Sequence, residues 1–549
     1  MDGSPPSVPS LFLQSISRQM HLPAQGLETW DVDGAIAFIR PAHVLFPADA
    51  SASTWPCRRC FSQPTKQSIA ELLQWKPAER VDDVVVNGFV RSVRAMKAHG
   101  FVSLGDGSSL APLQALVHAD QVPGLAVGAA IRLTGSWVAS PGSAQSHELH
   151  ATKVEVLGPS DPKTFPIQKK YQTPEYLRTM PHLRPRTPVN AALLRLRSDA
   201  IASLTQFFAS RSFTQTHPPI ITSSDCEGAG EVFTLAPASQ TTENQATDQE
   251  SFFRSRKYLT VSTQLHLEAL AQSVGNVWTL SPVFRAEESD TSRHLSEFYM
   301  LEAEMGFADN LGLVMDLAED MLRSLSASLF DKSTVQDLLS RSAHLGSDLA
   351  PADVVRGRWE GLMQDRWPRI TYTEAMELLQ QKADLFALKP TWESGLQSEH
   401  EKFLADHVGG GQKPVFVTHY PRDIKAFYML EAPPGRSEPA ATVECFDLLV
   451  PEFCEIMGGS MREHRLPVLQ DAMRRHGVLK PSAETTGDES HERHESAGGL
   501  EWYVDLRRWG CPPHGGFGLG FDRLLSYLSG VQTVRDMVTF PRWFGRCDC

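Results

Sequence analysis

Cysteine is scarce in this sequence, and the few cysteines are poorly placed for cross-links. Eight cysteines are spread over 549 residues, which is too few for a disulfide framework, so a reducing compartment is the default. Cys57 and Cys60 form a single C-x-x-C without a second pair at useful spacing, and Cys547 and Cys549 lie far away in the chain. Unpaired thiols are therefore favoured over a zinc site.

Long apolar runs and several well-known nucleotide and hydrolase signatures are also missing. No uninterrupted apolar stretch approaches membrane-spanning length, so no membrane partner is expected. The chain has no P-loop, no glycine-rich dinucleotide fingerprint and no G-x-S-x-G, so parallel-sheet nucleotide folds and serine hydrolases lose support. The net charge of −13 argues against wholesale coating of nucleic acid but leaves room for a local basic track.

The length of the chain predicts two or three domains, and the first 78 residues are the least patterned part. Their segment SLFLQSISRQM spaces apolar residues as a helix would and carries Arg18 and several serines, as in an organellar targeting segment. Acidic residues follow soon afterwards. A targeting segment and a disordered or lineage-specific extension therefore both stay open for residues 1–78.

Residues 79–160 have an all-β pattern. Five short alternating strands are separated by glycine and aspartate turns, which is typical of an OB-type barrel. Arg91, Arg94, Lys97 and Phe101 fall on or between the first two strands, and basic groups beside an aromatic ring suit single-stranded nucleic acid. The alternative is that Phe101 simply belongs to the barrel core.

The remaining chain divides into a short connection and a large domain. Residues 161–188 are rich in proline and basic side chains and read as a hinge whose charge could lie against a phosphate backbone. Residues 189–549 form the large domain, which opens with an amphipathic helix followed by the extended segment FTQTHPPIIT. Two stretches read as insertions, about 330–410 and 481–499. In the second, a solvated loop is favoured over a metal site at His491 and His494.

The most informative stretch is 277–307, which reads as two strands joined by a charged loop. Arg285 and Glu287 share one face of the first strand, and Phe298, Glu302 and Glu304 line a face of the second. Half-buried charges cost several kcal/mol unless they meet partners. Guanidinium groups match phosphate oxygens, and Phe298 could stack on a base, so a nucleotide is the expected ligand. A surface hairpin with scattered salt bridges is the alternative.

Three further motifs carry chemistry. Asp447 and Glu455 flank a proline break, and two carboxylates aimed at one place favour a hard cation such as Mg²⁺. GGSMR (458–462) places small residues before Arg462, which allows close approach of a ligand. HGGFGLGFDRLLSYL (514–528) predicts a strand, a glycine-rich turn and a helix with Arg523 in its first turn, an arrangement that favours phosphate.

At these residues the sequence resembles a known enzyme family. VFRAEESDTSRHLSEF looks like motif 2 of the class II aminoacyl-tRNA synthetases, GFGLGFDR looks like motif 3, and HPPIIT is similar to motif 1. The barrel before the large domain points to the aspartyl/asparaginyl/lysyl subgroup. Within it, DCEGAGEVF, YLTVSTQLHLEA, YPRDIKAFYML and EIMGGSMREHR match asparaginyl-tRNA synthetases of bacterial and mitochondrial type.

The resemblance implies an α+β fold, in which an OB-fold anticodon-binding barrel precedes an antiparallel-sheet catalytic domain, and a homodimer built through motif 1. It implies that ATP and asparagine form asparaginyl-adenylate, whose amino acid passes to the 3′-hydroxyl of tRNA(Asn). Catalysis would fall to Arg285 and Arg523. ATP would be held by Arg285, Glu287, Arg293, His294, Phe298, Glu455, Gly520 and Arg523. The amino acid would be bound by Glu227, Gln264, Glu268 and Arg462, Mg²⁺ by Asp447 and Glu455, and the anticodon by Arg91, Lys97 and Phe101.

Selection of asparagine over aspartate is inferred from the helix that follows Gln264. In aspartyl enzymes a lysine stands three residues after this glutamine, where the present chain has Leu267, followed by Glu268. Leucine cannot neutralise a substrate carboxylate, and Glu268 would repel it or accept from an amide. An aspartyl-tRNA synthetase of relaxed tRNA specificity and a non-catalytic tRNA-binding paralogue are the alternatives. The mitochondrial matrix is the expected compartment, with the cytoplasm as the alternative.

Overall fold

The computed structural model describes residues 68–142, 145–223, 231–236, 252–340, 349–434, 440–481, 495–496 and 499–549. Several sequence-based predictions lie outside these ranges. They concern the N-terminal segment with Cys57 and Cys60, the proposed amino-acid ligand Glu227, and the histidines His491 and His494.

Among the described residues, the first part of the chain forms a closed five-stranded barrel. Helix α1 (Ile69–Gln74) begins with a capping box in which Ser68 and Glu71 satisfy each other's backbone N–H groups. The strands are β1 (Val81–Ala95), β2 (His99–Gly105), β3 (Leu113–His118), β4 (Ala130–Ala139) and β5 (His147–Gly158), joined in the order β1-β2-β3-β5-β4. Alternate side chains such as Val86, Leu104 and Leu133 fill the interior. The prediction of an OB-type barrel is confirmed.

Two arginines of the connecting segment bind it to the C-terminal segment of the chain. The connecting segment contains α2 (Pro174–Arg178) and leads into α3 (Pro188–Ser210). The guanidinium of Arg184 is buried, donates to the carbonyl of Thr539 at 3.1 Å and pairs with Asp536 at 3.2 Å. Arg178 pairs with the same carboxylate at 2.7 Å. The expectation that hinge charge lies against a phosphate backbone is therefore wrong for these two arginines, because both are committed to the C-terminal segment.

The rest of the chain builds one large sheet and its flanking helices. In order, its elements are β6 (Thr214–Gln215), β7 (Ile221–Thr222), β8 (Tyr258–Leu259), α4 (Gln264–Val274), β9 (Val277–Phe284), β10 (Glu297–Gly306), α5 (Leu311–Phe330), α6 (Ser333–Leu339), α7 (Ala352–Met363), β11 (Arg369–Thr371), α8 (Tyr372–Gln380), α9 (Ser398–Val408), β12 (Val415–Thr418), β13 (Cys445–Val450), β14 (Cys454–Met461), α10 (Leu466–Arg475), β15 (Lys480–Pro481), β16 (Glu495–Ser496), α11 (Glu501–Asp505), β17 (His514–Gly520), α12 (Phe521–Ser529) and α13 (Val534–Met537).

Eight of these strands pair in the order β11-β12-β13-β14-β17-β10-β9-β6. The pairs β11–β12 and β6–β9 at the two edges are parallel, and all pairs between them are antiparallel. The structure therefore confirms the predicted α+β class with an antiparallel sheet. The strand pair predicted around the charged loop of 277–307 is β9 and β10, which pair from Val277 with Glu304 to Phe284 with Glu297.

Helices cover one face of the sheet with a continuous apolar core. Helix α5 is capped by Asn310, whose side chain accepts from the N–H of Leu313. Apolar residues of α3, α5, α7 and α12 pack together with Phe446 and Leu519 of the sheet. Burying each large apolar side chain contributes about 1.5–3 kcal/mol. This packing fixes the sheet as a rigid platform and leaves its opposite face available for polar side chains.

The stretch predicted as an insertion at about 330–410 is part of this platform. Strand β11 forms an edge of the large sheet. Trp359 of α7 is buried and donates from its indole N–H to the carbonyl of Leu528 at 2.8 Å. The sequence showed no chemical signal here because most of these elements contribute apolar packing, and the exception is α9, which carries Glu401. Within the described ranges, no helix has the length and apolar character that spanning a bilayer requires.

Candidate active site

The floor of the candidate site is a row of residues that runs across the middle of the large sheet. Glu302 on β10 pairs with Gly518 on β17, Gly518 pairs with Gly458 on β14, and Gly458 pairs with Asp447 on β13. Two carboxylates therefore stand at the ends of a stretch that has no side chains between them. A floor made of glycine backbone allows a flat or bulky ligand to approach the sheet closely.

Two arginines that are far apart in sequence meet above one end of this floor. Arg285 follows β9, and its side chain is 30% exposed. Arg523 lies in the first turn of α12 and donates from Nη1 to the carbonyl oxygen of Glu455 at 3.1 Å. Both guanidinium groups act electrostatically on the carboxyl of Glu455 and on the imidazole of His294. The predicted convergence of Arg285 and Arg523 is thus present in the fold.

The acidic pair lies beside these arginines. A Cβ atom added to Gly458 would lie 3.3 Å from Oε1 of Glu455 and 3.4 Å from Oδ1 of Asp447, so both oxygens face the same spot. Burial and the nearby Asp447 raise the pKa of the Glu455 carboxyl, although Arg523 and other cations oppose the rise. The ammonium of Lys425 donates to both carboxylate oxygens of Asp447, at 2.8 Å to Oδ2 and 3.0 Å to Oδ1. Sequence patterns did not identify Lys425, which occurs in the quoted motif YPRDIKAFYML.

Helix α9 adds a third carboxylate that sequence reasoning missed. The side chain of Glu401 accepts from the N–H of Glu455 at 3.4 Å. Burial, followed by repulsion from Glu455 and Asp447, raises the pKa of Glu401 to about 7. Arg293 of the charged loop reaches the same helix and donates to Oγ of Ser398 at 2.7 Å. The helix that carries Ser398 and Glu401 therefore closes the side of the site.

The charged loop and its flanking strand hold the other predicted nucleotide residues. Nε2 of His294 lies 3.3 Å from Oε2 of Glu287, and Nη1 of Arg285 lies 3.8 Å from Oε1 of the same carboxylate. Burial, with help from the surrounding arginines, lowers the pKa of the His294 imidazole. Phe298 is half-buried, with its ring centre 5.9 Å from the Arg285 guanidinium carbon. An added Cβ at Gly520 would make only ordinary contact with Arg523, so packing inside the protein does not demand glycine there.

The carboxylate set fits a magnesium ion that arrives with a polyphosphate. Mg²⁺ usually takes one or two protein carboxylates together with phosphate oxygens and water. Asp447 and Glu455 offer such oxygens around the space left by Gly458. Among the residues that the structure describes, no group of three or more acidic, histidine or cysteine side chains has the geometry of an all-protein metal cage. The donors present therefore suit a shared ion better than a structural metal.

A second, fully buried cluster lies at the other end of the floor. Glu268 of α4 accepts from Arg507 at 2.6 Å, from the hydroxyl of Tyr503 at 2.8 Å and from Nε2 of His514 at 3.0 Å. Burial alone would favour the neutral acid, but Arg507 and His514 hold the pKa of the Glu268 carboxyl well below its usual range. For His514, burial is outweighed by Cys511 and Glu268, which raise its pKa to about 10. Sequence patterns did not identify Arg507, Tyr503 or His514.

Arg462 is fixed in the same cluster by a bidentate ion pair. Its Nε and Nη2 donate to the two oxygens of Glu304 at 3.1 and 2.9 Å, and Nη1 donates to Oγ of Ser460 at 2.6 Å. A Cβ at Gly516 would lie 2.2 Å from Glu304 Oε2, so glycine is required there for the carboxylate to reach Arg462. This arrangement explains why Glu304 faces the same side of β10 as Glu302, as the alternation predicted.

Helix α4 presents the remaining predicted amino-acid residues. Gln264 begins the helix and donates from Nε2 to Oε1 of Glu268 at 3.0 Å. The carboxylate of Glu302 holds the helix start by accepting from the N–H of Thr263 at 3.0 Å. Leu267 is fully buried against Ala271 and Val277. The position of Leu267 therefore contributes apolar packing and no cation, and the polar group on this helix is Glu268.

On the barrel, the predicted cluster is only partly assembled. Phe101 is half-buried, packs edge-on to His99 with ring centres 5.4 Å apart, and lies opposite Arg94 in the β1–β2 pairing. Lys97 is exposed in the turn between these strands. Arg91 does not join them, because its guanidinium donates to the backbone carbonyl of Leu110 at 2.9 Å.

The misplacement of Arg91 has a structural cause. The pairing of β1 with β2 shifts between Val90 and Ser92, which is a bulge or a similar irregularity. Such a shift changes the face on which the following side chains lie. Arg91 falls at this irregularity, between the pairs Val90–Leu104 and Ser92–Ser103, and its side chain reaches the carbonyl of Leu110 instead of joining Phe101. The grouping of Arg91 with Lys97 and Phe101 is wrong, and Arg91 belongs to the junction between the barrel and the large domain.

Comparison with known proteins gives a consistent result. A family model described as tRNA synthetases class II (D, K and N) matches residues 173–544. The asparagine–tRNA ligase of Geobacter sulfurreducens is 42% identical over 484 residues, which cover 86% of this chain and 97% of the bacterial protein. The mitochondrial asparagine–tRNA ligase of Schizosaccharomyces pombe is 40% identical over 478 residues, which cover 86% of this chain and 96% of the yeast protein.

A solved structure is similar over nearly its whole length. The asparaginyl-tRNA synthetase from Pyrococcus horikoshii, crystallised with asparaginyl-adenylate, has a TM-score of 0.71 and 26% sequence identity to this chain. The similarity covers 88% of this chain and 99% of the archaeal one. Both the barrel and the large sheet are therefore shared with that protein.

Proposed function

The chain belongs to the asparagine–tRNA ligases within the class II tRNA synthetases, and we propose a role for each half of its active site in the ATP-dependent ligation of asparagine to tRNA(Asn). The α-carboxylate of asparagine attacks the α-phosphorus of ATP, the bond to the β-phosphate breaks, and diphosphate leaves. The 3′-hydroxyl of the tRNA then attacks the carbonyl of asparaginyl-adenylate, and AMP leaves. The observation that carries this assignment is the convergence of Arg285 and Arg523 on Glu455.

The nucleotide half positions ATP and stabilises the charge that develops at phosphorus. Arg285 and Arg523 are the catalytic residues, because their guanidinium groups supply fixed positive charge where the α- and γ-phosphates would lie. Glu287 and Phe298 bind the adenine, by hydrogen bonding and by stacking on its ring. Arg293, His294 and the backbone at Gly520 complete the phosphate site. No side chain in this half has to act as a nucleophile.

Asp447 and Glu455 would hold Mg²⁺. When bound, the ion supplies Lewis-acid stabilisation of the phosphate oxygens and of the leaving diphosphate. The support for this assignment is that both carboxylates face the space beside Gly458. Lys425 orients Asp447 before any cation arrives, since its ammonium contacts both carboxylate oxygens.

The amino-acid half binds asparagine through Gln264, Glu268 and Arg462. Two nitrogens of the Arg462 guanidinium donate to Glu304, and the third donates to Ser460, so the guanidinium is held in one orientation. Its further N–H groups can donate to substrate oxygens. Glu227 would bind the α-amino group of the substrate. The anionic oxygens of Glu268 suit an amide N–H and repel a second carboxylate, which favours asparagine over aspartate.

The barrel would bind the anticodon through the surface around Lys97 and Phe101. Phe101 offers an aromatic edge between strands, and Arg94 rather than Arg91 lies opposite it. Stacking of a base on an aromatic ring contributes about 1–3 kcal/mol. This surface belongs to the barrel alone, so its loss should affect tRNA and not the activation of asparagine.

A homodimer through α3 and the segment after it is also proposed. Leu194 and Ile201 on α3 are 40% and 37% exposed, and Ile220 and Ile221 are 37% and 41% exposed. Light scattering coupled to size exclusion should show twice the chain mass, and Ile201→Asp should halve it, while Leu385→Asp on another exposed apolar site should not. A wild-type monomer at micromolar concentration would contradict the dimer.

We place the protein in the mitochondrial matrix. The similarity to bacterial and mitochondrial ligases and the targeting-like segment SLFLQSISRQM support this location. A fluorescent reporter fused behind residues 1–75 should co-localise with a matrix marker. Diffuse cytosolic signal would favour the cytoplasmic alternative.

The residue assignments are tested by separating the two reaction steps. Asparagine-dependent exchange of pyrophosphate into ATP measures the first step without tRNA, and aminoacylation of tRNA(Asn) measures both. A variant of the barrel surface should lower only the second activity, and a variant of the sheet floor should lower both. Loss of pyrophosphate exchange on altering Phe101 would contradict the division of labour.

A further inference from the structure

The two oxygens of the Glu268 carboxylate have very different surroundings. Oε2 receives three donors, from Tyr503 at 2.8 Å, Arg507 at 2.6 Å and His514 at 3.0 Å. Oε1 receives one hydrogen bond among the described residues, from Gln264 at 3.0 Å, and lies 4.0 Å from Nε of Arg462. A carboxylate oxygen can accept about two hydrogen bonds comfortably. Oε2 is therefore saturated, while Oε1 retains accepting capacity toward the space beside Gln264.

The contacts of His514 show that it carries a proton on both ring nitrogens. Nε2 faces the carboxylate of Glu268 at 3.0 Å, and Nδ1 faces the carbonyl oxygen of Pro512 at 2.8 Å. A neutral imidazole has only one N–H, so one of these pairs would otherwise bring two lone pairs together. With the permanently charged guanidinium of Arg507, the imidazolium places two cations on Oε2.

A buried carboxylate normally escapes its desolvation cost by taking up a proton. Glu268 cannot do so easily, because a proton on either oxygen would have to displace or oppose Arg507 and His514. Tyr503 completes the clamp, since its hydroxyl donates to Glu268 and accepts from Arg507 at 2.8 Å. The carboxylate is thereby locked in both charge and rotation.

We propose that Arg507, His514 and Tyr503 are positioning residues that set the selectivity for an amide side chain, by presenting Oε1 of Glu268 as a fixed anionic acceptor. The inference rests on the proposed role of Glu268 in binding the amino acid. An asparagine amide donates an N–H to Oε1. An aspartate side chain brings a second negative charge to an oxygen that has no proton to share, and discrimination arises from that unpaired contact.

A clamp with only a folding role would lower stability and affect every substrate alike. A clamp that sets the acceptor acts on the amino acid and leaves ATP binding unchanged. The two roles therefore separate in the KM values for asparagine and ATP, measured together with the melting temperature. They separate further in the ratio of kcat/KM for asparagine to that for aspartate.

The test uses pyrophosphate exchange by the full-length protein with His514→Gln and Tyr503→Phe. A hydrogen bond to a charged group contributes about 1.5–3 kcal/mol, so His514→Gln should raise the KM for asparagine about 10- to 100-fold, with the KM for ATP within about twofold. Its preference for asparagine over aspartate should fall at least about tenfold. Tyr503→Phe, which keeps both cations, should raise the KM for asparagine about 3- to 10-fold.

Matched controls are His476→Gln, an exposed histidine after α10, and Tyr372→Phe, a buried tyrosine whose hydroxyl donates to the carbonyl of Trp392. Neither should change selectivity. A double-mutant cycle gives the sharpest check, because Glu268→Gln removes the group that His514 is said to position. In that background, His514→Gln should have almost no further effect on the KM for asparagine.

The inference is overturned if His514→Gln and Tyr503→Phe shift selectivity no more than the controls, or if they move the KM of ATP and asparagine equally. If His514→Gln does not fold, Tyr503→Phe and Glu268→Gln decide the matter. Absence of asparagine-dependent exchange in the wild type would instead refute the proposed residue roles themselves. The two failures are therefore distinguishable.

Discussion

The two halves of the active site manage charge in opposite ways. In the amino-acid half, Glu268 contacts Arg507 and His514, and Arg462 contacts Glu304, so each of these buried charges has an opposite charge within about hydrogen-bonding reach. In the nucleotide half, carboxylates are crowded together, although Asp447 also has a close cation, Lys425, at 2.8 Å. The acidic groups there are Asp447, Glu455 and Glu401, and the basic groups that surround them include Arg285, Arg293 and Arg523.

The difference indicates which half is complete before substrate binds. A buried network of matched charges is rigid and can reject a near-isostere by leaving its polar group unpaired. A site in which burial and neighbouring carboxylates raise the pKa values of Glu401 and Glu455 stores repulsion that a cation and a polyphosphate relieve. We infer that asparagine enters a finished pocket, whereas Mg²⁺ and ATP complete theirs.

The largest expected effect comes from removing Arg285. Arg285→Ala should lower the rate of pyrophosphate exchange about 10³-fold or more, because one preorganised donor at the reacting centre is worth about 10²–10³ and this one also positions ATP. Binding of tRNA(Asn), measured by filter retention, should change little. Arg474→Ala, an exposed arginine paired with Asp471, is the control. An unchanged rate of pyrophosphate exchange in Arg285→Ala would show that the nucleotide half lacks the catalytic role proposed for it.

Breaking a matched pair in the amino-acid half should destabilise the fold. Glu304→Gln removes the bidentate partner of the buried Arg462 guanidinium and leaves only the more distant Glu268 carboxylate, 4.0 Å away, among the described residues, and removing one partner of a buried ion pair costs about 3–5 kcal/mol. Urea denaturation at neutral pH should show a free energy of unfolding that is lower by that amount. A loss below about 1 kcal/mol would mean that this half is not held by paired charge.

A glutamate-to-glutamine substitution in the nucleotide half, Glu401→Gln, should instead raise the free energy of unfolding. The pKa of Glu401 is raised from 4.5 to about 7, so the folded state holds its proton longer than the unfolded chain does. The free energy of unfolding therefore falls as pH rises from about 4.5 to about 7. Glu401→Gln removes this penalty and should stabilise the protein by about 2 kcal/mol at pH 8.

The measurement for Glu401→Gln is urea denaturation at pH 8 and at pH 4.5 in the presence of EDTA. At pH 4.5 the wild-type carboxyl is protonated in the folded state and about half protonated in the unfolded state, so the gain should fall to well under about 1 kcal/mol. Destabilisation at pH 8 would show that Glu401 is a needed partner and not a repelled one. In that case Glu401 and Glu304 would both stabilise the folded state, and the two halves would not differ in this respect.

The smallest expected effect is that of a change in the barrel, which lies outside both halves of the active site. Phe101→Ala should raise the KM for tRNA(Asn) about tenfold, since a stacked base contributes about 1–3 kcal/mol, and should leave pyrophosphate exchange unchanged. Arg91→Ala should affect tRNA less than Phe101→Ala does, because its guanidinium contacts barrel carbonyls. An equal loss for Arg91→Ala would restore the grouping of Arg91 with Phe101.

The parts of the site that the sequence predicted are those whose residue type and spacing are themselves unusual. Arginine and glutamate that alternate along apolar strands identified Arg285 and Glu304. A glycine-rich turn before a helix identified Arg523. The barrel was predictable because turn residues recur between short alternating strands. In each case the pattern is local, and local patterns survive without knowledge of the fold.

The parts that the sequence did not predict depend on contacts between distant elements. Glu401 lies on an ordinary amphipathic helix and matters only because α9 packs beside Glu455. His514 and Arg507 acquire their role from a carboxylate more than 200 positions away. Arg91 was grouped with Phe101 because both lie on neighbouring strands, and the sequence does not show the carbonyls of Ser109 and Leu110 to which its guanidinium donates. These are properties of packing, and a single sequence does not display them.

The central claim is that a finished asparagine pocket faces an unfinished ATP–Mg²⁺ site on one sheet. Pyrophosphate exchange with purified full-length protein, supplied with each amino acid in turn and with or without Mg²⁺, tests it most directly. We predict exchange with asparagine, strict dependence on Mg²⁺, no need for tRNA, and little exchange with aspartate. Exchange with aspartate alone, or none with asparagine when Mg²⁺ and ATP are present, would contradict the account.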